Sequence, residues 1–232
     1  MNTTQRSDRA PWSPQLTAAT MVGGGMFLAA GLAVTPWEGE RTTASYLQAL
    51  AAHPTQGQIA AVLLLLGFLT LAPIAIGLHC VIPGRGRIRA AAASLAVVGG
   101  LVLPGSIIAD FFHLALAQSL DTEQAAAITD KAQGYAASGA ISAVGMAGMV
   151  GLLALLVIAW RRGVVPGAAP LLFAAGWIAP IALGVGLGPA LLGGALLLGG
   201  LGAGGYAVSG RRQSSGDESG SGLSPGLTSP VS

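Results

Sequence analysis

The sequence predicts an all-α fold, a polytopic membrane helix bundle of six transmembrane helices with both termini in the cytoplasm. Charged residues make up only 9% of the 232 residues, against about 25% in a typical soluble domain, so too little polar surface exists to cover a water-soluble globule. Apolar runs recur along the chain, and about 20 residues suffice to cross a hydrocarbon core of roughly 30 Å. Most of the basic residues lie in clusters on alternate connections between these runs. These observations predict a multi-pass protein of the cell membrane.

The six spans are delimited by the residues that interrupt the apolar runs. We expect a transmembrane domain over residues 16–208, between a cytoplasmic segment, 1–15, and a cytoplasmic tail, 209–232, whose Ser, Gly and Pro content predicts disorder. Pro104 is available to kink the third span, and a Gly188-Pro189 turn is expected to separate the last two. The expected spans are about 16–34, 58–81, 90 to beyond 109, 136–160, 168–187 and 190–208.

The distribution of basic residues predicts the orientation, because Lys and Arg near the ends of spans are retained in the cytoplasm. If six spans alternate, only Arg41 and Lys131 of the 11 basic residues fall on the outer side. A cleaved signal peptide over the first run is an alternative, but its removal would put the later clusters on the wrong sides. The basic residues of the cytoplasmic side are Arg6, Arg9, Arg85, Arg87, Arg89, Arg161, Arg162, Arg211 and Arg212.

Both longer outer loops are expected to contain a short helix. In the first, residues 44–52 read as a helix that ends at His53-Pro54. In the second, Asp121 followed by Gln124 is typical of a helix start whose side chains satisfy backbone donors, and it predicts a helix to about Gln133. The side chains of the first helix expected to face the bilayer surface are Tyr46, Leu47 and Leu50.

The glycine-rich stretches predict close helix packing rather than a nucleotide site. They lack the strand–turn–helix context of a dinucleotide loop and the Lys-Ser or Lys-Thr pair of a Walker loop. No patch of basic and aromatic residues indicates nucleic acid, and the single cysteine excludes an internal disulfide. Small residues one turn apart favour close contact between helices in a membrane. The small residues spaced one turn apart, each pair expected to face a neighbouring helix, are Gly200 and Gly204, Gly184 and Gly188, and Gly139 and Ala143.

Ionisable residues within the apolar runs are the candidate functional groups, since a central Asp costs about 2.5–3.5 kcal/mol on insertion scales. Counting about 20 residues from Arg89 puts Asp110 near the outer hydrocarbon boundary, and the same count along the first span puts Glu38 there. The two carboxyl groups are therefore expected to share one layer. His79 is expected near the cytoplasmic boundary, away from both.

A polar face is expected on the third span. Ser106, Asp110 and His113 are separated by four and three residues, which places them on one side of a helix. In a purely structural interpretation, Asp110 is hydrogen-bonded to a neighbouring helix at the end of the span and His113 lies among the headgroups. No dense ligand motif indicates a metal site.

Short motifs resemble a known group of proteins. They are TTASYL at 42–47, AAHP at 51–54, LPG at 103–105 and DFFHLALAQ at 110–118. Together with the six-span architecture over 16–208, they resemble small actinobacterial membrane proteins that include integral membrane terpene cyclases of indole-terpenoid pathways. The aspartate-rich diphosphate motif of soluble terpene synthases does not occur in this sequence.

The resemblance implies an acid-initiated cyclisation of a prenylated, lipophilic isoprenoid substrate without a cofactor or metal. A carboxylic acid away from bulk water can stay protonated and donate to an alkene or epoxide. Asp110 is the first candidate acid, Glu38 a second acid or the terminal base, and His113 a further catalytic residue. Trp37 is expected to stabilise a cation through its ring face, with Ser106 and Tyr135 as further substrate-binding residues.

Two other functional classes stay open on the sequence. A small transporter would also use an intramembrane acid, although such carriers usually carry more polar positions near the midplane. A non-catalytic membrane protein would need no reactive group. The sequence leaves the oligomeric state, the substrate and the ring pattern of the product open.

Overall fold

The protein is all-helical over the residues that the computed structural model describes, 12–36, 42–84, 86–184 and 186–210, and no strand occurs among them. Ser13, Thr42 and Asp121 cap the starts of three helices by accepting a hydrogen bond from the backbone N–H three residues further along. The helices are α1 (Pro14–Val34), α2 (Thr43–Ala52), α3 (Pro54–Leu69), α4 (Leu71–Val81), α5 (Arg87–Ser119), α6 (Thr122–Gln133), α7 (Ala136–Arg161), α8 (Ala168–Leu183) and α9 (Leu187–Gly210).

Among the described residues, five helical segments are long and apolar enough to cross a membrane. They are α1, the pair α3 and α4 taken together as Pro54–Val81, α5, α7 and α9. The fifth predicted span corresponds to α8, which is apolar but has only 16 residues. Large apolar side chains such as Leu101 and Leu171 are exposed along the outside of the helices, a surface that soluble monomers rarely present. The bundle is therefore compatible with an integral membrane protein.

The boundary between α8 and α9 differs from the prediction. α8 ends at Leu183 and α9 begins at Leu187, so the expected turn at Gly188-Pro189 is wrong. Gly184 and Gly186 have φ angles of 102° and 148°, values that favour glycine. Pro189 instead lies in the first turn of α9, where its missing N–H costs no helical hydrogen bond. This shift shortens the fifth apolar segment and lengthens the sixth.

Proline has different effects in the second and third apolar segments. Between α3 and α4 the helix is interrupted at Thr70, because Pro73 cannot donate to the carbonyl group of Leu69 and crowds it. The Thr70 hydroxyl donates to the Gly67 carbonyl at 2.6 Å. In contrast, α5 continues through Pro104 as one helix of 33 residues. At 1.5 Å per residue it is about 50 Å long, roughly 20 Å more than a hydrocarbon core.

The main core lies between the long helices. α1 packs along α9, α5 along α7, and α8 along α9. Side chains with no solvent exposure come from most of these helices, among them Met21, Ile74, Leu155, Phe173 and Leu201. Burial of these side chains holds the long helices together. Among the described residues, no charged residue belongs to this core.

Glycine allows some of these helices to touch through their backbones. A Cβ atom on Gly99 of α5 would lie 2.3 Å from the Cα atom of Gly148 on α7. The predicted close contacts of Gly200 and Gly204 are confirmed, since a Cβ atom would lie 2.7 Å from the Phe173 nitrogen and 2.4 Å from the Met21 Cε atom.

The close helix contacts predicted for the other two pairs of small residues are wrong. Added Cβ atoms on Gly139 and Gly188 would meet open space. Gly139 lies near the exposed start of α7, and Gly184, the expected partner of Gly188, belongs to the turn before α9 rather than to a helix. One-turn spacing alone therefore does not identify a packed helix face.

A second, smaller cluster lies at the end of α5 away from the arginines. We call it the cap: α2, α6 and residues 110–119 of α5. Leu47 and Leu50 of α2 are only 1% and 4% exposed and pack with Leu114 and Ala125. The two short helices of the cap are confirmed, but the expectation that Leu47 and Leu50 face the bilayer surface is wrong, because α5 and α6 cover them.

Candidate functional site

Asp110 lies where α5 enters the cap. Its side chain is 28% exposed, and its position 21 residues beyond Arg89 corresponds to a separation of about 30 Å along the helix. The carboxyl group therefore lies one membrane-core thickness from the arginine end of the bundle.

Tyr46 of α2 is the direct partner of Asp110. Its hydroxyl group donates a hydrogen bond to Asp110 Oδ1 at 3.0 Å. The phenol is half-buried, and it is held there because Leu47 and Leu50, which follow it on α2, are buried against α5 and α6. The hydrogen bond thus joins a short outer helix to a long apolar one.

Burial raises the pKa of the Tyr46 hydroxyl above its ordinary value of 10.0, and the nearby Asp110 carboxylate and the hydrogen bond to it raise the pKa further. All three causes favour the neutral phenol. Tyr46 is therefore a hydrogen-bond donor at any physiological pH rather than a base.

His113 completes a group of three side chains, which we call the Tyr46–Asp110–His113 triad. Its Nδ1 atom lies 3.5 Å from Asp110 Oδ1, and its imidazole ring meets the Tyr46 ring edge-to-face with centroids 6.0 Å apart. The side chain is 19% exposed, and among the described residues Nδ1 has no hydrogen-bond partner. The carboxylate is thus flanked by a fixed phenol donor and by an imidazole that can carry a proton.

The remaining described candidates do not contact this triad. Ser106 lies one turn before Asp110 on α5, but it is exposed and its hydroxyl donates to the Leu103 carbonyl at 2.7 Å. Tyr135 precedes the first residue of α7 and is 59% exposed. Both lie at the same end of the bundle as the triad, so they are near the site without forming part of its hydrogen bonds.

Two of the predicted site residues, Trp37 and Glu38, lie outside the described residues. The expected convergence of Glu38 with Asp110 therefore stays a prediction. His79 lies at the other end of the bundle, where it lines a cavity with Arg87 and Arg89. Its expected separation from Asp110 is confirmed.

Sequence reasoning missed the role of Tyr46. The helical pattern of α2 put Tyr46, Leu47 and Leu50 together on an apolar face, and a phenol on such a face is typical of a membrane interface. Only the packing of α2 on α5 and α6 turns the hydroxyl towards Asp110. The sequence offered one signal for this packing: Leu47 and Leu50 lie in a loop outside the spans, where they need an apolar surface of the protein to cover them.

The fold and the site define a class, an all-α, membrane-compatible bundle with a hydrogen-bonded acid at one end. Comparisons with known proteins found no relative of this chain. No protein-family model matches the chain, and no curated protein or solved structure is significantly similar to it.

The hydrogen bond between Tyr46 and Asp110 has two interpretations. It is the contact expected if Asp110 only fastens the end of its helix to a neighbour, and it is also the contact expected of a positioned acid. The two interpretations differ in one property, because a structural role needs only an acceptor oxygen whereas an acid also needs a transferable proton.

Proposed function

We propose that the protein is a membrane-bound terpene cyclase that protonates a prenylated, lipophilic isoprenoid substrate with Asp110. The observation that supports this most is the Tyr46–Asp110–His113 triad, which lies at the end of a membrane-length stretch of α5. A substrate dissolved in lipid would reach this depth without crossing water. The motifs that resemble membrane terpene cyclases include all three residues of the triad.

The chemistry begins with a proton on the Asp110 carboxyl group. Because Oδ1 accepts from Tyr46, the transferable proton would be carried by the other oxygen, Oδ2. This O–H bond breaks as a C–H bond forms on an alkene, or as an epoxide oxygen is protonated and its C–O bond opens. The resulting cation adds to a second alkene and forms the ring bond. A base then removes a proton, so the net reaction is an isomerisation.

Tyr46 and His113 act on the carboxyl group rather than on the substrate in this scheme. Tyr46 fixes the orientation of the carboxyl group through its hydrogen bond, and a protonated His113 can return a proton to Asp110 after each turnover. Glu38 is the second acid or the terminal base, and Trp37 stabilises the cation with its ring face. Ser106 and Tyr135 contact the substrate beside the triad.

The proposal includes an orientation in the cell membrane. Six spans, with α8 as the fifth, put both termini in the cytoplasm and the triad at the outer face. The arginines that flank the cavity at the other end, Arg87, Arg89, Arg161 and Arg162, agree with a cytoplasmic location of that end. The short α8 would then cross where the bilayer is locally thin.

The direct test is Asp110→Asn assayed in membranes with a panel of prenylated indoles. Asparagine keeps an oxygen that accepts from Tyr46 but has no acidic proton, so the fold should persist while product formation falls by about 10²-fold or more. Glu38→Gln should also reduce product formation. The exposed α6 residue Glu123 provides a matched control, and Glu123→Gln should leave turnover unchanged.

Undiminished turnover in Asp110→Asn would remove Asp110 from the mechanism and leave it a structural role. If the wild-type protein forms no product from the panel but takes substrate up in proteoliposomes, the transporter class replaces the enzyme. Neither product nor uptake would favour a non-catalytic membrane protein.

A further inference from the structure

A cavity of about 600 Å³ lies at the end of the bundle opposite the triad. It is formed by the connection after α4, the first turn of α5 and the last turn of α7. Its walls combine guanidinium groups with branched apolar side chains. The charged lining residues are Arg87, Arg89, Arg161 and Arg162, and the large apolar ones are Ile82, Ile88 and Ile158.

Two arginines of this cavity lie against the connection between α4 and α5. Arg89 donates through Nη1 to the Ile82 carbonyl group, which ties the start of α5 to the end of α4. The Nη1 atom of Arg162, the residue that follows α7, lies 3.9 Å from where a Cβ atom on Gly84 would be. Guanidinium groups from the start of α5 and from the end of α7 therefore face the same short connection.

These charges lack acidic partners. Within residues 12–36, 42–84, 86–184 and 186–210, no carboxylate lies within ion-pair distance of Arg87, Arg89, Arg161 or Arg162. The Arg89 Nε atom is buried and without a hydrogen-bond partner among the same residues. A buried donor left unpaired is costly, and this cost would be relieved by an anion in the cavity.

The start of α5 adds to the positive potential. Arg87 and Arg89 lie in its first turn, no acidic residue occurs there, and Gly86 provides no side-chain cap. Positive charge at the positive end of a helix dipole is unfavourable, whereas an anion at that place is stabilised. Four guanidinium groups and a helix start thus lie around one cavity whose lining, among the described residues, contains no carboxylate.

We propose that this cavity binds the phosphate group of an anionic phospholipid. Guanidinium groups recognise phosphate oxygens in a bidentate manner. The apolar wall favours a lipid over a soluble phosphate, because Ile88 is 80% exposed beside the arginines and would contact the glycerol and acyl chains of a lipid. A free phosphate ion would gain nothing from that wall.

The test is binding of fluorescent phosphatidylglycerol to the purified protein in a neutral detergent, with phosphatidylcholine as the zwitterionic comparison. We expect at least about tenfold tighter binding of phosphatidylglycerol, and at least about tenfold weaker binding of it after Arg89→Gln with Arg162→Gln. Arg89→Lys with Arg162→Lys keeps the charge and should weaken binding less, since an ammonium group is a point charge. Lys131→Gln, at the other end of the bundle, is the control and should have no effect.

Equal affinities for the two lipids, or unchanged phosphatidylglycerol binding in the double Gln variant, would overturn the proposal. Displacement of the lipid by inorganic phosphate at the same concentration would assign the cavity to a soluble phosphate and overturn the proposal of a lipid site. If the double Gln variant does not fold, the double Lys variant decides. A purely topological role of these arginines predicts unchanged phosphatidylglycerol binding in it, whereas the proposal predicts weaker binding.

Discussion

At the scale of single residues, the decisive contact is the one between Tyr46 and Asp110. Asp110 could be found from the sequence because an acid in an apolar run is conspicuous and its depth follows from counting along one helix. Tyr46 could not, because its partner is 64 positions away and only the tertiary packing of α2 brings them together. Local spacing therefore identified half of the contact.

Tyr46 should titrate above pH 10.0, its ordinary value, as long as the protein stays folded. The folded state holds the phenol proton more tightly than the unfolded state, so Tyr46 contributes stability at lower pH that declines as the pH rises above 10.0. When the pH of the wild-type protein in detergent is raised, the phenolate absorbance should therefore show a late step, at high pH, that is absent from the Tyr46→Phe variant. A late step of equal size in both proteins would contradict the hydrogen-bonded position of Tyr46.

At the scale of helices, glycine positions determine which pairs can approach closely. The sequence predicted this role correctly for Gly200 and Gly204 but not for Gly139 and Gly188. Spacing reports which residues share a helix face, whereas contact also depends on how that face is rotated and on where the helix begins. Two helix boundaries were not predicted, the interruption at Thr70 within the second span and the start of α9, where Gly184 and Gly186 with positive φ angles override the Gly-Pro signal.

The close approach of α5 and α7 can be tested with two substitutions on α7. Gly148→Ala puts a methyl group 2.4 Å from the Gly99 Cα atom, and such overpacking should cost about 1–3 kcal/mol and lower the Tm in detergent. Gly139→Ala is the matched control, since its methyl group meets open space and alanine favours the helix by about 0.5–1 kcal/mol. Equal Tm values for the two variants would contradict the backbone contact between α5 and α7.

At the scale of the whole molecule, the bundle has two chemically different ends. One end carries the four arginines around a cavity, and the other carries the cap and the triad. The alternation of charge in the sequence predicted this separation, because basic clusters fall at alternate connections. The number of spans is less directly encoded, since α8 is apolar throughout but only 16 residues long.

The proposed crossing of α8 predicts where Gly188 lies. In a Cys80→Ser background, Gly188→Cys should react with a membrane-impermeant maleimide in intact cells, because six spans put the start of α9 outside. Pro83→Cys in the same background, at the arginine end, should react only after permeabilisation. Gly188 lies in open space and Pro83 is exposed, so neither change should disturb packing. Labelling of Gly188→Cys only after permeabilisation would show that α8 does not cross.

The continuity of α5 makes bilayer thickness a determinant of the environment of Asp110. One unbroken helix holds Arg89 and Asp110 about 30 Å apart. When the arginine end is fixed among the headgroups of one leaflet, the carboxyl group lies at a set distance from that leaflet, and its depth below the opposite surface depends on the thickness of the bilayer. Thicker membranes would submerge this carboxyl group in acyl chains, and thinner ones would hydrate it. Lipid composition thereby becomes a physical variable that acts on the acid through the length of a single helix.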